Sequence, residues 1–288
     1  MLIHHTQNKR LQHILNKKSY KYTHKNLIKN NNTTNTKDNK IINTKENNNI
    51  THLSYNISWE SMSGSVKDWD LCSNNTDKNN PKHNSICISN IGTVINENKT
   101  DFVTLQEAGD YKKLLAICPH LSTMHYKTYK SGLNVIVTFW NNKYKFIKKI
   151  TGDFSKGRPW MAIIFSGELC VINVHFGHYK HYEEYNKLKS IIHDIKHELA
   201  DTNIFIKRYI IAGDFNYDIK KLSNNSGKIN LDNIIFYYHP KHLLTCCVRR
   251  ITHYDHIIDS YKTPNKIFIP NVKYMASDHK PIIAVLSI

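Results

Sequence analysis

Short runs rich in Val, Ile, Tyr and Phe recur along the chain after residue 50, and Gly, Asn, Asp or Pro separates them. Such runs, bounded by turn residues, are typical of β-strands. We predict strands at Leu53–Ile57, Phe102–Leu105, Leu133–Trp140, Trp160–Phe165, Leu169–Val174, Tyr209–Ala212, His256–Ile258, Lys266–Ile269 and Ile282–Leu286.

Helical periodicity is clear in one place, over about 181–200. Apolar residues recur there at i, i+4, i+7 and i+11 from Leu188 to Leu199. Shorter helices are predicted around 85–97 and 110–117. Because many strands are separated by few helices, the sequence predicts an α+β fold in which two sheets pack face to face with helices outside.

Residues 1–50 differ from the rest in composition. They contain ten Lys and Arg against two Asp and Glu, a net charge of +8, together with twelve Asn. Such a stretch cannot bury enough apolar surface to offset its ordering entropy, so we predict a disordered, basic Asn/Lys-rich segment over 1–50 and a folded domain over 51–288. An A+T-rich genome would explain this bias; a basic arm for an anionic polymer and a targeting peptide are the functional alternatives.

The whole chain of 288 residues carries a net charge of +17. This balance favours an anionic partner, namely nucleic acid, phospholipid headgroups or a phosphorylated metabolite. No apolar run approaches the roughly 18–20 residues of a membrane span, and the N-terminus lacks the apolar region of a secretory signal. The six Cys lack CxxC spacing, so reduced thiols are expected. We therefore expect an intracellular monomer without a transmembrane segment.

Polar residues cluster just after the predicted strands, where a rigid sheet can hold side chains in a defined geometry. Carboxylate and amide oxygens suit Mg²⁺ or Mn²⁺. Two His with an Asp to orient one of them suit acid/base chemistry, and an Arg after a Gly can grip a phosphate through two hydrogen bonds. The set therefore predicts metal-assisted hydrolysis of a phosphate ester. Its members are Asn56, Glu107, Arg158, His175, Asp214, Asn216, Asp255, Asp278 and His279.

The ordered motifs resemble the endonuclease/exonuclease/phosphatase superfamily. In chain order they read YNISWE (55–60), LQE (105–107), NVHFGH (173–178), GDFN (213–216), YDHII (254–258) and SDHKPI (277–282). The match runs from about 51 to 288. The resemblance implies the deoxyribonuclease I-like fold, a four-layer α/β sandwich of two mixed β-sheets flanked by helices, with the site at one edge of the sandwich.

The resemblance also implies roles for the residues that hold the metal and the water. Glu107 is the main Mg²⁺ ligand, Asn56 lies beside it, and Asp278 supports the metal or the second His. Asp214 orients or deprotonates the attacking water, and Asn216 holds a phosphate oxygen.

The remaining roles concern proton transfer and the phosphate. The resemblance implies that His279, hydrogen-bonded to Asp255, is the acid/base or phosphate-polarising group. It implies that His175 and Arg158 contact the scissile phosphate. Tyr129 is similar in position to a phosphate-facing Tyr found in some members of the superfamily.

Departures from the family patterns leave the substrate open. Abasic-site endonucleases differ around His253–His256, whereas the deoxyribonuclease I and cytolethal-distending-toxin branch has an Arg in place of His256. Inositol-polyphosphate 5-phosphatases have an Arg in place of Asp218, and neutral sphingomyelinases share several blocks. We expect a Mg²⁺-dependent nuclease that hydrolyses DNA or RNA phosphodiester bonds; the alternative is a phosphoinositide or other phosphoester phosphatase of the same superfamily.

Other His spacings resemble metal sites but lack their context. His175, His178 and His181 are spaced by three, and His193 and His197 are spaced by four. The order on the predicted helix is His-Asp-x-x-His, not the His-Glu-x-x-His of zinc proteases. We therefore predict no zinc at either set.

Overall fold

The computed structural model describes residues 49–58, 83–178, 181–222, 226–247, 252–271 and 277–288. These residues belong to one structural unit, Asn48–Ile288. The segment predicted to be disordered lies outside the described residues, apart from Asn49 and Ile50. These two residues pair with Ser287 and Leu286 and begin the first strand, two residues before the predicted domain boundary.

The described strands, in chain order, are β1 (Asn49–Asn56), β2 (Phe102–Gln106), β3 (His125–Ser131), β4 (Asn134–Trp140), β5 (Phe146–Ser155), β6 (Arg158–Phe165), β7 (Leu169–His175), β8 (Arg208–Asp214), β9 (Lys228–Leu231), β10 (Ile234–Tyr237), β11 (Asp255–Asp259), β12 (Lys266–Phe268) and β13 (Ile282–Ser287). The described α-helices are α1 (His83–Glu97), α2 (Tyr111–Ile117), α3 (Pro119–Ser122) and α4 (His181–Ala200). A short 3-10 turn covers Ile219–Leu222.

The strands form two mixed sheets. The first has the order β12-β13-β1-β2-β4-β3 and the second the order β5-β6-β7-β8-β11-β10-β9. Each sheet has one parallel pair, β1 with β2 and β7 with β8, and antiparallel neighbours around it. Parallel neighbours end at the same edge of a sheet, so the residues that close each pair lie side by side.

Three apolar cores separate the layers of the molecule. One core lies between the sheets and includes Phe102 of β2 with Val171 of β7. A second packs Ile192 of α4 against Ile172 of β7, and a third packs Ile91 of α1 against Val103 of β2. Adjacent strand residues such as Val171 and Ile172 face opposite cores because side chains alternate along a strand. The predicted four-layer sandwich is confirmed.

The strands absent from the sequence prediction are β3, β5, β9 and β10. Both β3 and β5 are edge strands, and their sequences HYKTYKS and FIKKITGDFS carry exposed lysines. Lysines on an edge discourage pairing with another chain, and they also interrupt the apolar run from which a strand is recognised. The three predicted helices are present, while the short helix α3 was not predicted.

The cysteines depart from the expectation of reduced thiols. Cys246 and Cys247 form a disulfide between adjacent residues, and Cys87 is also disulfide-bonded. Cys118 and Cys170 are free and buried. The expectation is therefore wrong for at least three positions, because the absence of CxxC spacing does not exclude a bond between neighbouring residues.

A buried amide of the second sheet is bonded to the first. The Asn173 side chain on β7 donates to the carbonyl oxygens of Leu105 (3.1 Å) and Val137 (3.0 Å) and accepts from Gln106 Nε2 (2.7 Å). Both Asn173 and Gln106 are fully buried. Since His175 lies two residues after Asn173 and Glu107 directly follows Gln106, these bonds fix the register of the two sheets next to the candidate site.

Replacement of this amide is expected to lower stability. Asn173→Ala leaves two carbonyl groups and the Gln106 amide without their partner in the core, at a cost of about 1–3 kcal/mol for each buried group left unpaired. We expect the urea unfolding midpoint to fall markedly. Asn142→Ala, at an exposed position, is the control and should leave the midpoint near wild type. Equal midpoints for both variants would contradict the role of Asn173.

Candidate functional site

Four of the predicted site residues meet where the parallel pairs end. Asn56 ends β1, Glu107 follows β2, His175 ends β7 and Asp214 ends β8. Asn56 Nδ2 donates to Glu107 Oε1 (3.2 Å) and to Asp214 Oδ2 (3.0 Å). His175 Nε2 lies 3.4 Å from Glu107 Oε1 and 3.7 Å from Asp214 Oδ2. The structure thus brings residues of both sheets into one cluster.

The backbone at this edge adopts conformations that few residues tolerate. Glu107 and Asn216 have φ values of +54° and +48°, in the left-handed region that costs a non-glycine residue about 1 kcal/mol or more. At Gly213 (φ +151°), a Cβ atom would lie 2.0 Å from the carbonyl oxygen of Val174. Only glycine therefore allows β8 to approach β7 closely just before Asp214.

Asp214 is fully buried and held by several donors. Its Oδ1 accepts the backbone N–H of Asn216 (2.7 Å), and its Oδ2 accepts the side-chain amides of Asn56 (3.0 Å) and Asn216 (3.1 Å). Burial raises the pKa of Asp214 to about 6, although the nearby His279 and these hydrogen bonds oppose the rise. The carboxylate is therefore a fixed proton acceptor that is mostly ionised at neutral pH.

His279 and Asp255 form a buried pair next to Asp214. Asp255 begins β11 directly opposite Asp214 in the antiparallel register. His279 Nδ1 donates to Asp255 Oδ2 (2.9 Å), and His279 Nε2 lies 3.7 Å from Asp214 Oδ2. Burial alone would lower the pKa of His279, but the Asp255 and Asp214 carboxylates outweigh it and hold this pKa well above its usual value. At neutral pH the ring is an imidazolium oriented by Asp255.

The loop that carries His279 is tied to the first strand. Ser277 Oγ donates to the carbonyl oxygen of Asn56 (2.8 Å) and accepts the backbone N–H of His279 (3.1 Å). Ser277 is fully buried. These two bonds join the loop before β13 to the end of β1, so the position of His279 depends on that of Asn56.

Arg158 and His175 form a second contact at the same edge. Arg158 begins β6, which is antiparallel to β7, so it lies beside the end of β7. Its Nη1 lies 2.5 Å from His175 Nε2. Burial and the Arg158 charge hold the pKa of His175 well below its usual value, so His175 is neutral and its Nε2 accepts from the guanidinium. His175 Nδ1 is buried without a hydrogen-bond partner among the described residues.

The donors at Glu107 fit a hard divalent cation. The Glu107 side chain is 20% exposed, so it faces the opening of the site while its neighbours are buried. Carboxylate oxygens are ligands of Mg²⁺ and Mn²⁺. Asn56 donates to Glu107 through Nδ2, and its Oδ1 accepts the backbone N–H of Ser58 (3.0 Å), so a role for the Asn56 oxygen at the metal stays a prediction. Asp278 lies in another group, with Cys246 and Cys247, whose donor atoms lie within 4.8 Å of one another. A role for Asp278 at the metal therefore stays a prediction.

The segment that supports Asp255 and His279 was not predicted as part of the site. Thr245 Oγ1, fully buried, accepts the backbone N–H groups of Asp255 (3.1 Å) and Tyr254 (3.3 Å). Cys246 Sγ lies 3.3 Å from His279 Nε2. His178 is also close enough for the charges of Arg158 and the site carboxylates to act on its pKa. The adjacent Cys pair was the one visible feature of this segment.

Tyr129, Trp160 and the His pair of α4 have surroundings of their own. Trp160 is buried in the core of the second sheet. Tyr129 on β3 packs against the core between the sheets, and burial together with the nearby Asp153 carboxylate raises its pKa. His193 is exposed and lies 3.7 Å from Asp232.

Among the described residues, every helix is too short or too polar to cross a membrane.

No protein-family model matches the chain. The uncharacterised protein L684 of Acanthamoeba polyphaga mimivirus is 30% identical over 259 residues, which is 82% of this chain and 50% of that protein. The chain thus spans half the length of the curated relative that it matches.

Solved structures share the fold. A humanized D. rerio TDP2 superposes with a TM-score of 0.57 at 13% identity, covering 84% of this chain and all of that one. An endonuclease/exonuclease/phosphatase protein of Bacteroides vulgatus gives 0.58 at 16% identity, covering 83% and 99%. ANGEL2, a 2′,3′-cyclic phosphatase, gives 0.60 at 14% identity, covering 83% and 96%. These likenesses confirm the fold that the ordered motifs predict.

Proposed function

We propose that this chain, which has the deoxyribonuclease I-like fold of the endonuclease/exonuclease/phosphatase superfamily, is a metal-dependent hydrolase of phosphate esters that acts on DNA or RNA. The observation that carries the proposal is the convergence of an open carboxylate, a buried carboxylate and an Asp-oriented imidazolium at one sheet edge. Glu107, Asp214 and His279 supply these groups. No single one of them would be specific, but the combination matches the needs of phosphoester hydrolysis.

In this mechanism Arg158 binds the scissile phosphate, and His175 and Asn216 position the groups around it. The Arg158 guanidinium can donate two hydrogen bonds to phosphate oxygens. His175, being neutral, holds the guanidinium through Nε2. Asn216 Nδ2 donates to the carbonyl oxygen of Phe176 (2.9 Å) and to Asp214 Oδ2 (3.1 Å), so Asn216 holds the Asp214 carboxylate in place.

Asp214 and His279 move the protons. Asp214 accepts a proton from the attacking water, because it is ionised and held by three donors. The His279 imidazolium donates to the phosphate oxygen on which charge develops, and Asp255 keeps the ring oriented through Nδ1. Glu107 and Asn56, with Asp278, would hold Mg²⁺ or Mn²⁺, which when bound supplies Lewis-acid stabilisation of the phosphate charge.

The two edge strands favour a polyanionic substrate. Exposed lysines lie on β3 and β5 and in the turn before β6; we call Lys127, Lys130, Lys149 and Lys156 the lysine edge. The two strands lie side by side, because Lys149 Nζ donates to the carbonyl oxygen of Thr128 (3.4 Å) and Lys127 Nζ lies 4.8 Å above the Phe146 ring.

The lysine edge continues to the site through one turn. The backbone N–H of Gly157 donates to Ser131 Oγ (3.2 Å), and Asn134 Nδ2 donates to the carbonyl oxygen of Gly157 (2.6 Å). These bonds place Lys156 and Arg158 beside the end of β3. A D. rerio TDP2 of the same fold has been crystallised with a single-strand DNA product. A nucleic acid that crosses the lysine edge would therefore reach Arg158.

A substrate panel tests the proposal. The purified chain with Mg²⁺ is assayed on supercoiled plasmid, single-stranded DNA, RNA, an abasic duplex and phosphoinositides. We expect hydrolysis of a nucleic acid. Hydrolysis confined to phosphoinositides would replace the nuclease by a phosphatase on the same site, and no hydrolysis of any phosphoester would contradict the proposal as a whole.

The lysine edge should contribute to the salt dependence of binding. Replacement of its four lysines by Ala is expected to reduce the slope of log K against log salt by up to about 3.6, because each neutralised duplex phosphate contributes about 0.9. The control removes four other exposed lysines, Lys112, Lys113, Lys207 and Lys262. Equal changes of slope in both variants, measured by fluorescence anisotropy on duplex DNA, would show that only net charge matters.

A further inference from the structure

A separate group of side chains that could bind a metal lies close to the candidate site in the chain. The donor atoms of Asp218, His253 and His256 lie within 4.8 Å of one another. His253 and His256 are buried, and the Asp218 side chain is 18% exposed. A third imidazole is close, since the His242 ring centroid lies 4.7 Å from that of His253. This donor set shares no member with the residues to which hydrolysis is assigned.

One ring nitrogen in this group is buried with no hydrogen-bond partner. His253 Nδ1 has no such partner among the described residues and lies 3.7 Å from Asp218 Oδ1, too far for a hydrogen bond. The whole residue is only 5% exposed. A buried polar atom left unpaired is costly, so the unpaired nitrogen that faces the carboxylate points to a missing partner between them.

The hydrogen bonds of His256 leave its other nitrogen available. Its Nε2 lies 3.0 Å from the carbonyl oxygens of both Tyr217 and His253. The backbone N–H of Ile219 also approaches Nε2, at 3.4 Å. The two closer carbonyl oxygens place the proton on Nε2, so Nδ1 keeps its lone pair. This is the arrangement by which proteins orient a metal-binding imidazole, with one nitrogen bonded to a carbonyl and the other on the metal.

We propose that Asp218, His253 and His256 form a zinc site. Two imidazoles and a carboxylate are typical Zn²⁺ ligands, and water can complete the tetrahedral set. With bonds of about 2.0–2.1 Å, the ligand atoms of a tetrahedral site lie about 3.3 Å apart. Small side-chain rotations therefore suffice to close the group around an ion.

The location of the zinc gives it a structural role. Asp218 lies in the turn after β8, and His253 and His256 flank Asp255 at the start of β11. An ion bound to all three would tie the end of β8 to the start of β11, where Asp214 and Asp255 face each other. The zinc would hold Asp255 in place for His279 without contacting the substrate.

Metal content tests this site separately from hydrolysis. The full chain carrying Glu107→Gln, which disables the proposed hydrolytic metal site, is loaded with Zn²⁺, passed through a desalting column in buffer with excess Mg²⁺ and analysed by mass spectrometry for zinc. We expect one retained zinc per chain. In the same background, His253→Ala and Asp218→Asn should each lose it, and His193→Ala should keep it, because His193 is an exposed His beside an Asp outside the group.

Asp218→Asn tests whether zinc is lost because a ligand is removed and not because the chain unfolds. An Asn retains an oxygen that can accept the backbone N–H of Lys220 (3.1 Å in the structure), so the turn is preserved while the charged ligand is lost. Substitution of Co²⁺ for Zn²⁺ should give the intense visible absorption of a tetrahedral site, absent from His253→Ala. The proposal is overturned if the Glu107→Gln chain retains no zinc, or if Asp218→Asn and His253→Ala retain as much as His193→Ala. A chain that hydrolyses no phosphoester yet retains zinc would refute the proposed function and leave the zinc site standing.

Discussion

Glu107→Gln should reduce hydrolysis with Mg²⁺ by at least about 100-fold while the protein stays folded. The substitution removes one negative charge from the opening of the site and keeps the size of the side chain. A metal ligand of this kind stabilises charge in the transition state and contributes little to the core. Because Asn56 Nδ2 can still donate to the amide oxygen that replaces Glu107 Oε1, the hydrogen bond at 3.2 Å need not be lost.

The control for this variant is Glu168→Gln. Glu168 is also a Glu in the left-handed region, with φ +64° against +54° at Glu107, but it lies in the turn between β6 and β7 and pairs with Lys207. Both variants should keep the circular dichroism spectrum and the unfolding temperature of the wild type. Only Glu107→Gln should lose activity and bind Mg²⁺ more weakly in calorimetry. A folded Glu107→Gln enzyme with normal turnover would show that the metal is held elsewhere.

The positions of the polar residues at the ends of buried strands could be predicted from the sequence. Asn56, Glu107, His175 and Asp214 follow apolar runs, and a run that is buried on both faces is recognisable without its neighbours. The pairing of parallel strands then brings their ends together whatever the rest of the chain does. This is why the central part of each sheet and the four residues at their common edge agree with the expectation.

The parts that the sequence did not reveal depend on tertiary contacts. Thr245 accepts the backbone N–H of Asp255, ten residues further along the chain, and Asn173 bonds to strands 36 and 68 residues away. No local pattern records such contacts. The Cys246–Cys247 pair was visible, but its position against His279 arises from the isolated bridge between Cys246 and His279. Edge strands β3 and β5 were missed because their exposed positions carry lysines, and these lysines interrupt the apolar run from which a strand is predicted.

His279→Ala and Asp255→Ala should each lower kcat by about 1,000-fold or more, and the double variant should be little worse than His279→Ala alone. Asp255 touches His279 Nδ1 at 2.9 Å, on the side of the ring away from Asp214. It therefore acts through the imidazole, by orienting the ring and holding its proton. Residues that act as one unit give losses that do not add.

The rates of the single and double variants also distinguish a role of Asp255 in orienting His279 from a purely structural role. Asp255 is fully buried, so its removal can lower stability as well as activity. The comparison is therefore made at a temperature where native circular dichroism shows each variant to be folded, and single-turnover rates are measured with saturating Mg²⁺. If Asp255 merely supports β11, Asp255→Ala should cost the same factor in the presence and in the absence of His279, and the losses would multiply. If Asp255 acts through His279, Asp255→Ala should cause no further loss of rate in a chain that already carries His279→Ala.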